Sequence, residues 1–527
     1  MQQLAYRRRL VPLLALGVVA GLAPGLATGV ASAAPGRAAA PAERGSADPL
    51  APYTRQKLTW KRCAVDKPAA FQCATLKVPL DYRAPEGKRI DVAISRVRTS
   101  DPDKRRGILT INPGGPGGPG LDLPVEAAEA LPKALLDQYD MVGFDPRGVG
   151  RSTPVSCGLT PDELPYPRVT RSAADAAANE AWARTFAAKC RKTAGERLPH
   201  NSTRNTARDL DVMRAVLGEK KLTYFGVSYG TALGAVYMQL FPHRVDRFVL
   251  DSAVDPGRMW RGMFRIWAPE GERAFQRWTK WTADHDQKYH LGSSPAAVAR
   301  TFWGLVAQAD KKPIVFGDVT VDGPAVRDLL RRELYGVRTG AEAVAMLKKA
   351  AEGQSVPGLP ADESTENEIA SQTAVLCADA PWPRDPGVYR RDAVRDAARY
   401  PLYGDFVSSI IPCAYWPKGA EPPTKVDNDA KSLIVQNEWD SQTPLTGARA
   451  MHRALRGSRM VTVDEGEGHG VVFGDARNAC AENAAMGYLI TGDLPDHDIT
   501  CHATPGEGGT DRAVRGFGLG APAPTDT

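Results

Sequence analysis

Short apolar runs alternate with longer stretches of helical periodicity along most of the chain. Runs of β-branched and apolar residues predict strands at 90–94, 107–111, 139–144, 222–225, 247–250, 432–435 and 459–463. Between them, apolar residues recur at helical spacing, as in residues 206–217. This alternation is typical of a mostly parallel sheet flanked by helices. The pattern therefore predicts an α/β fold.

The strand pattern stops between residues 255 and 426. Long amphipathic stretches replace it and carry the tryptophans Trp260, Trp267, Trp278, Trp281 and Trp303. Because strands resume afterwards, we expect a helical insertion that folds over the sheet as a cap and is not a tandem domain. It divides the core into residues 51–254 and 427–504. The tryptophans fit the lining of a substrate cleft or, as is more common at helical spacing, a core.

The amino-terminal residues have the pattern of a secretory signal. Arg7-Arg8-Arg9 precedes an apolar stretch that ends near Leu26, and Ala31-Ser32-Ala33 is a small-x-small cleavage pattern. We interpret residues 1–33 as a signal peptide cleaved after Ala33. A membrane anchor is the alternative, since a span needs ~20 apolar residues, but interior glycines and a proline disfavour it. The arginines are also a weak indication of twin-arginine export.

The remaining composition restricts the partners of the mature chain. Residues 34–50 and 505–527 are rich in alanine, proline and glycine, which predicts disordered tails, and the first also fits a propeptide. No later segment approaches ~18 uninterrupted apolar residues, so we expect no stable membrane anchor after cleavage. Lys and Arg number 67 against 61 Asp and Glu, without a long block of one sign. This excludes the charge pattern of a nucleic-acid-binding protein.

The chain has eight cysteines, an even number, and exported proteins usually pair them. They fall in sequence-local couples, so we expect the disulfides Cys63–Cys73, Cys157–Cys190, Cys377–Cys413 and Cys480–Cys501. Sequence alone leaves about 105 connectivities open, and free buried thiols are a further alternative. A zinc site is disfavoured because the chain has no C-x-x-C pair.

A strand–turn–helix motif marks a candidate nucleophile. The predicted strand 222–225 leads into Gly226-Val227-Ser228-Tyr229-Gly230 and then into a helical pattern. In this context G-x-S-x-G is typical of a nucleophilic serine, because small residues two positions away let the backbone of the turn pass close to its neighbours. The sequence therefore predicts that Ser228 is the nucleophile.

A serine nucleophile requires a histidine base held by a carboxylate, in the chain order Ser, Asp, His for this kind of sheet. Asp440 follows the strand 432–435, and His469 follows the strand 459–463 in a glycine-rich loop. Both lie past the carboxyl ends of strands, where open α/β sheets build active sites. Asp464 is the alternative carboxylate, although it is too close in sequence to His469 to reach it comfortably. The competing histidines are His243, His285, His290, His452, His497 and His502.

The negative oxygen of a tetrahedral intermediate needs N–H donors. The strand 107–111 opens into the loop 112–120, N-P-G-G-P-G-G-P-G, whose glycines leave backbone N–H groups exposed. A flexible linker or a phosphate loop is the alternative, but the Walker lysine is absent and the prolines favour a rigid turn. By the general rule for this motif, the donors are the N–H groups of Tyr229 and of Gly115.

Several motifs together resemble one family: the loop 112–120, the segment 145–152 (D-P-R-G-V-G-R-S), the serine turn, Asp440 with Thr443-Pro444, and Gly468-His469-Gly470. The set resembles the α/β-hydrolase peptidases related to prolyl aminopeptidase, and among them the secreted tripeptidyl aminopeptidases of Streptomyces, over nearly the whole mature chain. The resemblance implies an α/β-hydrolase fold with a helical cap. It also assigns the catalytic triad to Ser228, Asp440 and His469.

The chain departs from the family pattern at two positions of the loop 112–120. Asn112 replaces a histidine of many prolyl aminopeptidases, as it does in the tripeptidyl subgroup, and Pro119 stands where that subgroup often has serine. Neither change affects the triad. The resemblance further implies that Asp145 and Arg147 brace the oxyanion loop, with a plain surface ion pair as the alternative.

Together these features predict a secreted, extracellular serine exopeptidase that releases a short peptide, a tripeptide by the resemblance, from a free amino terminus. Cap carboxylates would hold the substrate ammonium, and the unranked candidates are Glu270, Glu272 and Asp379. No metal or cofactor is required. An esterase for small acyl esters is one alternative, since the same triad serves both reactions. The other is a non-catalytic secreted binding protein, which is disfavoured because the catalytic positions are filled.

Overall fold

The computed structural model describes residues 48–160, 163–164, 169–317, 319–357, 365–472 and 477–503. The predicted signal peptide, most of the predicted tail 34–50 and the tail 505–527 lie outside the described residues.

In the described residues, twelve strands form two sheets. They are β1 (Lys61–Arg62), β2 (Phe71–Pro79), β3 (Arg89–Val97), β4 (Gly107–Asn112), β5 (Tyr139–Phe144), β6 (Leu222–Val227), β7 (Val245–Asp251), β8 (Ile314–Phe316), β9 (Val319–Val321), β10 (Ser432–Trp439), β11 (Ser458–Glu467) and β12 (Ile499–His502).

Sixteen α-helices are described. They are α1 (Ala51–Thr54), α2 (Leu123–Ala130), α3 (Lys133–Leu136), α4 (Ala173–Ala194), α5 (Thr203–Val216), α6 (Tyr229–Leu240), α7 (Arg261–Asp284), α8 (Asp286–Tyr289), α9 (Pro295–Lys311), α10 (Gly323–Glu333), α11 (Val337–Ala351), α12 (Glu366–Asp379), α13 (Pro386–Arg399), α14 (Gly404–Ser408), α15 (Leu445–Ala454) and α16 (Ala479–Thr491).

The main sheet has ten strands in the order β1-β2-β3-β5-β4-β6-β7-β10-β11-β12. Strands β1, β2, β3 and β5 pair antiparallel with their neighbours along that edge, and every pair from β5 to β12 is parallel. The predicted α/β fold with a mostly parallel sheet is confirmed. Each strand predicted from the sequence lies within one of these strands.

Helices cover both faces of the main sheet, with α4, α5 and α6 in one apolar cluster and α2, α3 and α16 in another. Neighbouring residues of one strand face opposite layers: Tyr224 of β6 packs in the first cluster and Phe225 in the second. Strands buried on both faces consist of continuous apolar runs, so they could be predicted from the sequence. The unpredicted strand β2 instead alternates buried and exposed positions, with Gln72 and Lys77 among the polar ones.

The segment between β7 and β10, which we call the inserted segment (252–431), contains α7 to α14 and the antiparallel pair β8–β9. Much of it surrounds its own apolar cluster, in which Trp278 is 0% exposed. Trp281 and Trp303 pack against that cluster, whereas Trp260 belongs to the cluster of the main sheet. The helix α12 also packs with the main sheet. The inserted segment is therefore mainly helical. Some of its apolar residues are buried in its own cluster, and others are buried against the main sheet.

Four disulfides join the eight cysteines in the expected local pairs: Cys63–Cys73, Cys157–Cys190, Cys377–Cys413 and Cys480–Cys501. Within the part of the chain that the structure describes, no helix has both the length and the apolar character needed to cross a membrane.

Candidate active site

Ser228 lies at the tip of the turn between β6 and α6, with φ 58° and ψ −123°. A positive φ is unfavourable for a residue with a side chain and persists only where its surroundings enforce it. The flanking glycines show how tight this turn is. A Cβ on Gly226 would lie 2.5 Å from the carbonyl oxygen of Gly230, and one on Gly230 would lie 2.8 Å from that of Asn112. The G-x-S-x-G spacing is thus required by close backbone contacts.

Asp440 and His469 meet beyond the ends of the adjacent strands β10 and β11. His469 donates its Nδ1–H to Asp440 Oδ2 over 2.8 Å, and the two side chains are 3% and 0% exposed. Asp440 also accepts the hydroxyl of Thr443 (2.7 Å) and the backbone N–H groups of Gln442 (2.8 Å) and Thr443 (2.9 Å). The hydrogen bond from His469 Nδ1 to Asp440 fixes the imidazole, so its second nitrogen, Nε2, is left to accept a proton.

Burial and the interaction between Asp440 and His469 shift the pKa values of the two residues in opposite directions. Burial alone disfavours both charges, but the His469 charge and hydrogen bonds from His469 and Thr443 hold the pKa of Asp440 below its usual range. Likewise, Asp440 raises the pKa of His469 above its ordinary value against the effect of burial, and the charge of Asp251 adds to this. The site therefore favours an imidazolium next to a carboxylate.

The alternative carboxylate, Asp464, is half exposed and pairs with the exposed His502 at 3.1 Å. Among the competing histidines, His452 bonds to Ser458 at 2.6 Å and His285 stacks on Trp281. The structure therefore brings His469 together with Asp440 and not with Asp464. The catalytic roles of this pair and of Ser228 stay predictions.

The loop 112–120 lies directly against the serine turn. A Cβ on Gly114 would lie 2.9 Å from Ser228 Cβ and 3.3 Å from the backbone nitrogen of Tyr229. On its other side the loop contacts α12, where a Cβ on Gly117 would lie 2.6 Å from the Glu368 carbonyl oxygen. The loop expected to supply one oxyanion donor is thus held between the serine turn and the inserted segment.

Asp145 and Arg147 have different roles from each other. Asp145 Oδ1 accepts the backbone N–H groups of Gly120 (3.0 Å) and Leu121 (3.2 Å), so it braces the end of the loop 112–120. Arg147 does not brace that loop: its buried guanidinium pairs with Asp209 at 2.6 Å and donates to backbone carbonyls at the end of β2 and before α5. The expectation for Arg147 is corrected, because α5 supplies its carboxylate partner. Both side chains are buried, so a surface ion pair is excluded too.

The three predicted cap carboxylates occupy different surroundings. Asp379 accepts the N–H (2.7 Å) and hydroxyl (2.5 Å) of Thr203 and the indole N–H of Trp260 (3.0 Å), and burial raises its pKa to about 6. Glu272 accepts the backbone N–H of Leu402 at 2.8 Å. Glu270 pairs with the exposed Arg273 at 3.0 Å.

A cleft borders the carboxylate side of the Asp440–His469 pair, and Glu270 lies in its lining. The other charged lining residues besides Asp440 are Glu438, Glu467, Arg273 and Arg277, and the aromatic ones are Tyr335 and Trp439. The cleft therefore has an acidic excess next to Asp440, the carboxylate partner of the candidate base.

Contacts from the inserted segment to the loops after β10 and β11 could not be predicted from the sequence. Trp267 donates its indole N–H to the Gln442 carbonyl oxygen at 2.6 Å, and the Tyr335 ring lies 6.1 Å from the His469 ring. Arg331 stacks on Trp267 at 4.9 Å and bonds to the Gln442 side chain at 3.2 Å. These residues have no local motif, since only the tertiary fold brings them to the loop.

The serine turn and a buried histidine–carboxylate pair at neighbouring ends of a mostly parallel sheet define a class of enzyme. The chain is a serine hydrolase with the α/β-hydrolase fold. Comparison with known proteins then narrows the class. The chain is 39% identical over 498 residues to the tripeptidyl aminopeptidase of Streptomyces coelicolor, which covers 88% of this chain and 89% of the relative. It belongs to the tripeptidyl aminopeptidase family of serine peptidases.

Other comparisons agree with this family. Residues 400–501 match the family model described as TAP-like protein. The serine protease Hip1 of Mycobacterium tuberculosis is 30% identical over 494 residues, covering 85% of this chain and 92% of the relative. A carboxylesterase B of the same species is 31% identical over 514 residues, covering 90% of this chain and 95% of the relative.

Proposed function

We propose that this protein is a secreted serine exopeptidase that releases short peptides, tripeptides above all, from a free amino terminus. The buried Asp440–His469 hydrogen bond carries this proposal, because such a pair activates a serine hydroxyl, and Asp251 links the loop after His469 to the Ser228 turn. The 39% identity to a tripeptidyl aminopeptidase supports the choice of a peptide substrate and of the product length.

In the proposed reaction, Ser228 Oγ attacks the scissile carbonyl carbon while His469 Nε2 takes the hydroxyl proton. The carbonyl π electrons move to the oxygen, which becomes an oxyanion. When this intermediate collapses, the C–N bond breaks, the proton passes from His469 to the leaving amine, and an acyl-enzyme ester remains. Water, deprotonated by His469, then hydrolyses that ester and restores Ser228.

The N–H groups of Gly115 and Tyr229 are the proposed oxyanion donors. Tyr229 is the first residue of α6, so its N–H belongs to the amino-terminal end of the helix dipole. Its hydroxyl bonds to Thr203, which Asp379 holds in turn, and its ring lies 5.7 Å from the Trp260 ring. These contacts support a rigid position for the Tyr229 donor, and preorganised donors contribute most to oxyanion stabilisation.

Among the cap carboxylates, we propose Glu270 for the substrate ammonium. Asp379 already accepts three hydrogen bonds and Glu272 accepts a backbone N–H, so both have other partners. Glu270 lies in the cleft beside Asp440, and its partner Arg273 is 62% exposed at the side chain. The Glu270 side chain itself is only 16% exposed, and burial raises its pKa, so it is the exposed arginine that a substrate ammonium would replace.

Secretion is proposed from the predicted signal and from the cysteines. All eight form disulfides, which persist in oxidising compartments outside the cytosol.

An esterase is the second candidate function, because a relative with 31% identity is named carboxylesterase B. The same triad hydrolyses esters and amides, so the two functions differ in what the cleft binds.

A substrate panel separates these functions. The mature protein is assayed with a tripeptide p-nitroanilide carrying a free amino terminus, with its acetylated form, and with p-nitrophenyl esters. An exopeptidase cleaves the free peptide at least ~100-fold better than the acetylated one, if ~3 kcal/mol of charge-assisted binding is lost. Equal cleavage of both peptides, or cleavage of esters alone, would reject the proposal. No turnover of any substrate would indicate a binding protein.

A further inference from the structure

Asp251, the last residue of β7, contacts both loops of the candidate triad that carry the nucleophile and the base. Its backbone carbonyl accepts the N–H of Ser228 at 2.9 Å. Its carboxylate accepts the N–H of Val471 at 2.8 and 3.0 Å and the N–H of Val472 at 2.9 Å. One completely buried residue thus joins the serine turn to the chain directly after His469.

The next residue extends this connection. Ser252 has a φ of 58°, and its hydroxyl accepts the N–H of Gly470 at 2.8 Å. Its own N–H donates to the carbonyl of Val435 in β10. The three consecutive N–H groups that follow His469 are therefore all held by the pair Asp251–Ser252, which fixes where the loop leaves the imidazole.

The charge of Asp251 also bears on His469. The Asp251 carboxylate accepts hydrogen bonds from neutral groups, the N–H groups of Val471 and Val472 and the Ser252 hydroxyl (3.3 Å), and a carboxylate without a cationic partner is costly to bury. Burial raises its pKa to about 6, while the amides and the His469 charge favour its ionised form. The groups that face His469 are Asp440 from the loop after β10, Asp251 from β7 and the ring of Tyr335 between α10 and α11. The imidazolium thus has two carboxylates beside it.

We propose that Asp251 is a positioning residue of this site: it fixes the His469 loop through the backbone amides of Val471 and Val472, and its negative charge stabilises the His469 imidazolium that forms when Ser228 loses its proton. The inference rests on the proposed serine mechanism, and it adds a second carboxylate to the base. Asp440 orients the imidazole by direct contact, whereas Asp251 acts through the loop and through its charge.

The test is the variant Asp251→Asn, which keeps the size of the side chain and removes its charge. The rate of Ser228 modification by a fluorophosphonate probe is measured against pH, because this reaction needs the base but no particular peptide. Labelling should slow by ~10-fold or more at the pH optimum. The acid limb of the labelling rate plotted against pH should move to lower pH by ~0.5 unit or more, because the His469 pKa falls when one neighbouring negative charge is lost.

Asp246→Asn is the matched control, since Asp246 lies near the other end of β7 and pairs with Arg106 at the surface. Its pH profile should coincide with that of the unmodified protein. If Asp251→Asn labels more slowly but with an unmoved acid limb, the residue is merely structural and the inference is wrong. If the unmodified protein itself is not labelled, the proposed serine mechanism fails instead.

Ser252→Ala keeps the inference testable if Asp251→Asn does not fold. This variant removes the hydroxyl that accepts the N–H of Gly470 and donates a long hydrogen bond to Asp251, and it leaves the carboxylate and its amide donors in place. Labelling should slow by several-fold, with the acid limb unmoved. Labelling at the unmodified rate would show that the loop needs no anchoring by this pair, and would overturn the inference.

Discussion

The strand ends and the inserted segment contribute to the site in different ways. Ser228 and Asp440 follow a strand of the main sheet directly and His469 follows one residue later, so their positions depend on a rigid sheet that helices cover on both faces. The inserted segment contributes Trp267 and Glu270 from α7 and Tyr335 from the turn between α10 and α11. Its residues approach the site through side-chain contacts across the fold.

The strand ends therefore determine the chemistry, and the inserted segment determines substrate recognition. Strand ends impose fixed backbone geometry, so the bond-breaking groups need particular residues at particular spacings. Side chains of the inserted segment need only the right shape and charge at the cleft, which several sequences can provide. We therefore expect substitutions at the strand ends to abolish turnover and substitutions in the inserted segment to alter substrate preference.

The largest effect is expected for Ser228→Ala. The serine lies at the tip of its turn, where it contributes chemistry and little packing, so turnover of a tripeptide p-nitroanilide should fall by ~10⁶-fold. Circular dichroism and the melting temperature should stay unchanged. Substantial activity in a purified sample of this variant would show that another residue is the nucleophile.

Asp440→Asn should reduce kcat by ~10⁴-fold, because the amide cannot hold His469 in the required tautomer. Asp464→Asn is the matched control: it changes the alternative carboxylate, whose partner is the exposed His502. Its activity should stay within ~2-fold of the unmodified protein, as for an ordinary exposed ion pair. If Asp464→Asn lowered kcat far more than Asp440→Asn, Asp464 would be the carboxylate that orients His469.

Glu270→Gln tests recognition by the inserted segment. Removing one charge from the ammonium site should lower kcat/KM for a free-amino peptide by ~10- to 100-fold. Cleavage of p-nitrophenyl esters should be unaffected. Glu272→Gln serves as the control, since a glutamine can still accept the N–H of Leu402. Equal effects of both variants on peptides would exclude a specific role for Glu270.

The smallest expected effect is a displacement of the pH profile. Because burial is outweighed by the Asp440 charge, the pKa of His469 lies above its ordinary value, ~6.5. A protonated imidazole cannot accept the Ser228 proton, so kcat/KM should fall as the pH drops through that raised pKa. The acid limb should therefore lie above ~6.5. A limb clearly below this value would mean that Asp440 is not ionised beside His469.

The sequence predicted seven of the ten strands of the main sheet, all but β1, β2 and β12. It also predicted the meeting of Asp440 with His469, because buried strands and tight turns leave strict patterns. Asp440 could be preferred to Asp464 on spacing alone, and the exposed pairing of Asp464 agrees with that choice. The four cysteine pairs could also be predicted, because each joins cysteines that are neighbours in the sequence order.

The sequence could not assign the partners of Arg147 or rank the cap carboxylates. Arg147 lies in the same motif as Asp145, yet its partner Asp209 is supplied by a helix far along the chain. Asp379 and Glu270 are both acidic residues of the inserted segment, and only their tertiary contacts distinguish them. Asp251 was overlooked for the same reason, since its partners follow His469.

The most direct test of the account is to identify the residue that a fluorophosphonate probe modifies. Trypsin releases residues 222–244 as one peptide, and Ser228 is the single serine in it. We expect one adduct on this peptide, mapped to Ser228 by tandem mass spectrometry, and no adduct when the protein is unfolded before labelling. An adduct on another serine, or no adduct on the folded protein, would contradict the assignment of Ser228 as the nucleophile.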